Sequence, residues 1–167
     1  ERGHLVQIIT GIPYFYRQFG YEMTLILAGR RYGFEGNLPA LKDGEIEPYT
    51  IRPANETDLE FMLRMYELGQ RRYAISCKRS LENIRYEWNG QSNESIIRYD
   101  NTIILDAKGK RIGYLLHTTD LWSGGCHAVQ FEIDEGSSWL DISPSVARYL
   151  WKKAGEYAER DAMPRTS

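Results

Sequence analysis

Apolar positions along the chain fall into short runs and helical stripes, and these divide it into three stretches. Residues 4–10 (HLVQIIT) are apolar and β-branched and end at Gly11, the pattern of a strand. Pro13 suits the first turn of a helix, where its missing N–H is not needed, so residues 14–19 predict a short helix. Gly20 then fits the left-handed position after a helix end, and residues 21–27 (YEMTLIL) read as a second strand. Residues 1–28 are thus expected to run strand–helix–strand. Residues 29–48 carry Gly, Pro and charges without a sustained period and predict a linker.

A second unit is expected over residues 49–167. YTIRPA reads as a strand. Thr57 and Glu60 match a capping box, and Leu59, Met62, Leu63 and Tyr66 follow at the spacing of one apolar helix face. A shorter helix over residues 81–88 has Ser80 as its cap. TIILD and RIGYLLH flank the Gly-containing loop AKGK and predict a hairpin. In AVQFEID, Val129, Phe131 and Ile133 alternate with Gln130, Glu132 and Asp134, which assigns them to opposite faces of a strand. Ser143 and Pro144 predict the start of a last helix, with Ser143 as cap. On that helix Val146, Tyr149, Leu150, Lys153, Ala154 and Tyr157 share one stripe. This order is an α/β (α+β) layout: a mixed, mostly antiparallel central sheet flanked by helices.

Composition narrows the function. The chain has 167 residues, 42% hydrophobic and 26% charged, with a net charge of −2. Nothing in that balance favours a nucleic-acid partner or an anionic membrane surface. No apolar run approaches the ~20 residues of a membrane span. Two cysteines, Cys77 and Cys126, make no disulfide framework and read as reduced thiols of a cytoplasmic protein. Cys126 and His127 are potential metal ligands, but no second pair completes a four-ligand site, so no metal is expected.

Two stretches carry a resemblance to a known family. PYFYRQFGYE resembles the Y-x-x-x-G-F/Y segment that closes a domain of the GNAT superfamily of CoA-dependent N-acyltransferases, with Tyr16 and Gly20 at the matching spacing and Tyr21 where Phe is usual. IRPANETDLEFMLRMYELG resembles the opening strand and first helix of such a domain. The chain therefore looks like the end of one GNAT domain joined to most of a second, as in tandem proteins similar to enhanced-intracellular-survival acetyltransferases, and like a piece of a longer parent. The resemblance implies transfer of an acetyl group from acetyl-CoA, as co-substrate, to a small-molecule or peptide amine.

It also implies roles for particular residues. Tyr16 stands where the family keeps the acid that protonates the departing thiolate; a packed surface aromatic is the competing reading. Glu132 stands where some members keep a general base, and otherwise reads as a solvated strand carboxylate. Arg17, Ser143 and Ser145 are candidates for contact with CoA phosphates, although a solvated helix arginine and a helix cap explain the first two. The sequence departs from the family in the interval FEIDEGSSWLDISPSVARYL, which has no Q/R-x-x-G-x-G/A, while Asp134, Glu135 and Asp141 oppose a pyrophosphate. A non-catalytic GNAT-like module that packs on a catalytic domain is the alternative. Residues 4–27 are expected to complete a sheet, in their own chain or by exchange within a homodimer.

Overall fold

Ile103, Ile104 and Leu115 have no exposed surface and mark the centre of the sheet. A computed structural model describes residues 3, 5–24 and 33–162; the chain divides into residues 1–32 and residues 33–167. In the larger unit, β1 (Thr50–Pro53), β2 (Tyr99–Leu105), β3 (Arg111–Thr118) and β4 (Ala128–Ile133) form one sheet in the order β1-β2-β3-β4, every neighbouring pair antiparallel. The β2–β3 turn is closed by Asp106, whose Oδ1 accepts from the Lys108 and Lys110 amides at 2.9 Å each. Gly109 supplies the positive φ that this turn requires, 77°.

The two-residue period of the strands sends neighbouring side chains to opposite faces. Ile103, Tyr114 and Leu116 pack under Leu59, Phe61 and Met62 of a helix numbered α2 (Leu59–Gln70), and under Ile84 of α3 (Leu81–Arg85). The number α1 is kept for the short helix of the first unit (Pro13–Arg17). Ile104, Ile112, Leu115 and Ile133 pack on the other face against Ile142 and Val146 of α4 (Trp139–Asp161). The result is an antiparallel sheet between helices, as the hydrophobic pattern predicts.

A buried carboxylate fastens α2 to the sheet. Asp58 is 0% exposed and accepts from Arg52 at 2.7 and 3.0 Å, from Arg111 at 3.2 Å and from the Asn55 amide at 2.9 Å. Burial alone would raise its pKa, but the Arg52, Asn55 and Arg111 hydrogen bonds outweigh it and hold the carboxyl below its ordinary value. The capping box predicted at Thr57 and Glu60 therefore forms two residues earlier, between Asn55 and Asp58, on a 3₁₀ turn (Glu56–Asp58) that leads into α2. The Ser80 cap forms as expected, with Asn83 as its reciprocal partner; the helix is α-helical to Arg85 and continues as a π turn over Tyr86–Gly90.

The last helix starts earlier than predicted. Ser138, not Ser143, is its cap, accepting from the Asp141 amide, and Pro144 lies inside α4. The N–H that Pro144 lacks would have bonded Leu140, a residue 86% exposed at the helix start, where water can take the free carbonyl. Residues 33–48 are tied to this helix. Arg148 donates to the Pro39 carbonyl at 2.7 Å and pairs with the Glu47 carboxylate at 2.7 Å, and Ser145 donates to the same carboxylate.

In the first unit the predicted helix is present as α1, and Gly20 ends its last turn at φ 85°. The predicted flanking strands are not: among the described residues, 5–10 and 21–24 pair with no strand. Apolar, β-branched runs become strands only through a partner, and the described part of this unit supplies just one side-chain link between the two runs, from the Tyr21 hydroxyl to Gln7 at 2.9 Å. Residues 25–27 of the second predicted strand lie outside the described residues. Much of the segment's apolar surface is open: Leu5, Val6, Ile8, Ile12, Tyr14 and Phe19 are all exposed.

Candidate active site

β4 is an end strand of the sheet, and a cleft of about 310 Å³ runs between it and the C-terminal half of α2. Tyr66, Gly69, Gln70 and Tyr73 form one wall, residues 75–77 the rim, and residues 129–132 the other wall. The rim is pinned by its own backbone. The Cys77 carbonyl accepts from the Tyr66 hydroxyl at 2.7 Å and from the Gln70 amide group.

Glu132 is the carboxylate of this cleft. The alternation predicted for β4 places it on the α2 side, opposite Phe131 and Ile133. Its side chain is 12% exposed and ion-paired with Arg72. Gly69 makes the approach possible, because a methyl group there would overlap the Glu132 carboxylate. Arg72 is held from the side as well, its guanidinium 5.5 Å from the Trp139 ring and 6.0 Å from the Tyr73 ring. The Glu132 hydrogen bond, partly offset by burial, raises the pKa of Arg72 further.

Deeper along the same face, Gln130 accepts from the Tyr114 hydroxyl at 3.1 Å and from Arg79 at 3.2 Å. Arg79 also bonds Glu87 at 2.8 Å and lies 4.7 Å over the Tyr66 ring. Burial raises the Glu87 pKa, with Arg79 opposing it; burial, and then the Glu132 charge, push the Tyr114 phenol well above its ordinary value. Tyr114 is thus a fixed neutral donor. Of the polar groups at this cleft, sequence reasoning singled out Glu132 and passed over Arg72, Arg79 and Tyr114. The first two look like helix-end and loop arginines, and Tyr114 looks like one more apolar strand residue. No periodicity marks any of them.

The remaining candidates are not among the residues that line this cleft. Tyr16 is half-buried in the first unit, edge-on to Phe15 and Tyr21 with ring centroids 5.3 and 6.1 Å away. Arg17 is exposed and pairs with Glu22 at 3.4 Å. Ser145 is 2% exposed and committed to Glu47, and Ser143 lies within α4 rather than at its cap. Neither serine is free at a helix start, where the sequence placed them for anion contact. The β4–α4 loop (residues 134–138) is acidic, with Asp134 3.4 Å from Lys110 and Glu135 3.3 Å from Arg71. These residues do not form a pyrophosphate cradle of the glycine-rich kind. Among the described residues no group of three or more His, Cys, Asp or Glu side chains is arranged to hold a metal ion. No described helix is long and apolar enough to cross a membrane.

The chain has the fold of GCN5-related N-acetyltransferases. It superposes on the spermidine N-acetyltransferase of Vibrio cholerae, solved with CoA and spermine, with a TM-score of 0.54 at 12% identity over 68% of each chain. A GCN5-related N-acetyltransferase from Kribbella flavida gives a TM-score of 0.47 at 17% identity, over 69% of this chain and 67% of that one. The chain thus spans about two thirds of the length of these structures. No family model matches the sequence, and no curated protein does.

Proposed function

We propose that the chain is part of an N-acyltransferase, and that the cleft between α2 and β4 receives the amine to be acylated. The observation that carries this reading is the Glu132 carboxylate, almost buried in a cleft at the end strand of an acetyltransferase-like sheet. An amine reacts through its lone pair, and at neutral pH it arrives as an ammonium ion. Glu132 attracts that ion and takes its proton, a contribution of roughly 10²–10⁴ in rate. An acyl-CoA thioester, acetyl-CoA by the sequence resemblance, supplies the acyl group: the N–C bond forms as the C–S bond breaks, and the departing sulfur needs a proton. In the domain that residues 1–28 close, Tyr16 is the proposed source of such a proton. In this reading residues 1–28 close another domain of the same kind, as in tandem acyltransferases, and their exposed apolar side chains meet a sheet edge in the same chain or a second copy.

The acidic β4–α4 loop favours one competing reading. With Asp134 and Glu135 where a pyrophosphate would lie, residues 33–167 would serve as a non-catalytic module packed on a catalytic partner. Thermal unfolding with acetyl-CoA separates the two. At a hundred times its dissociation constant a bound ligand adds about 2.7 kcal/mol. A rise of several degrees supports the enzyme; an unmoved transition at saturating acetyl-CoA would leave the module.

A further inference from the structure

The pairing of Arg72 with Glu132 selects among amines. An ammonium ion that claims the Glu132 carboxylate must break the ion pair already there. A simple amine then leaves the Arg72 guanidinium without a counter-charge beside the newcomer's own positive charge. An amine that carries a neighbouring carboxylate avoids this cost, because each of its charges meets an opposite one. Resting on the reading that the cleft receives an amine, we propose that the acceptor is an α-amino acid with an apolar side chain, its ammonium on Glu132 and its carboxylate on Arg72.

Four features support this assignment. The Arg72 side chain is 44% exposed, so a ligand can reach it, and its planar fork suits a carboxylate. Its position is set before binding by the Trp139 and Tyr73 rings. On the α2 side the cleft also offers Tyr66, Tyr73 and Ile75, which suit an apolar side chain. Among the described lining residues Glu132 is the sole carboxylate, so a polyamine would find one counter-charge for several positive ones.

Isothermal titration of the full chain with L-phenylalanine, 2-phenylethylamine and spermidine, without an acyl donor, tests this. The first two ligands differ only in the carboxylate. L-Phenylalanine is expected to bind about tenfold tighter than 2-phenylethylamine, the scale of one charge-assisted contact, and spermidine no better than the simple amine. Arg72→Gln is expected to erase the preference, weakening L-phenylalanine and tightening 2-phenylethylamine. Equal or tighter binding of 2-phenylethylamine or spermidine by the native chain overturns the amino-acid assignment but leaves the amine cleft standing. Heat from none of the three overturns both.

Discussion

Replacing Asp58 by alanine tests whether the cleft rests on the staple described above. The native carboxylate accepts four hydrogen bonds, three of them from arginines, and is itself 0% exposed. Breaking a fully buried pair costs about 3–5 kcal/mol, because a bare charge is left behind. Here the arginines left behind are partly wetted, with Arg52 33% and Arg111 39% exposed, so water recovers some of that energy. Loss of the cap on the Asn55 amide adds about 1 kcal/mol. The expected total is about 3 kcal/mol, or a drop of roughly 6–12 °C in Tm for a chain of this size. Urea unfolding followed by tryptophan fluorescence measures it. The pH dependence gives a second check. A carboxyl with a depressed folded pKa stabilises the fold above its unfolded value of 3.8 and loses that contribution as pH falls through the folded value. The native and variant chains should therefore draw together in stability as pH falls from 3.8 through the lower folded value. A loss under ~0.5 kcal/mol at neutral pH, the range of ordinary surface changes, would refute the reasoning.

Gly69→Ala should leave stability unchanged or raise it by up to ~1 kcal/mol through helix propensity, yet weaken amine binding because the methyl group displaces the Glu132 carboxylate; unaltered titration heats would count against the cleft geometry. His117 is 0% exposed, bonded to the Thr118 carbonyl at 2.9 Å and the Tyr149 hydroxyl at 3.2 Å. Burial lowers its pKa from 6.5, Lys153 on α4 reinforces this, and Asp100 on β2 and the Thr118 carbonyl oppose it. The unfolded chain binds this proton first, so stability should fall as pH drops below 6.5, and less so in His117→Gln; equal slopes in urea titrations would contradict that. Arg148→Ala frees Glu47 and the Pro39 carbonyl, and should cost about 1–2 kcal/mol and expose residues 33–48 to limited proteolysis, whereas unchanged cleavage would show that other contacts hold the segment.

Alternation and amphipathic spacing made the hairpin, β4, α2 and the antiparallel layout readable from the sequence, because each of those elements buries one face. Element ends were less readable where several polar residues compete. Asn55 and Ser138 provide the caps that the sequence pattern assigns to Thr57 and Ser143, and Pro144 sits past the first turn and not at its start. The runs at residues 5–10 and 21–24 have the composition of strands without a described partner, and composition cannot supply one. In the site, the alternation of β4 made Glu132 legible as a polar-face residue, and the family resemblance singled it out. Its company of Arg72, Gly69 and Tyr114 was not legible, since β3, β4 and α2 are brought together only by the fold.

The central claim is that Glu132 handles the proton of an amine undergoing acylation. Mass spectrometry of amines incubated with acetyl-CoA and the full chain, native against Glu132→Gln, tests it most directly. The account predicts an N-acetylated product with the native chain and a rate lower by about 10² or more in the variant. Equal product from the two chains, or none from either, would contradict it.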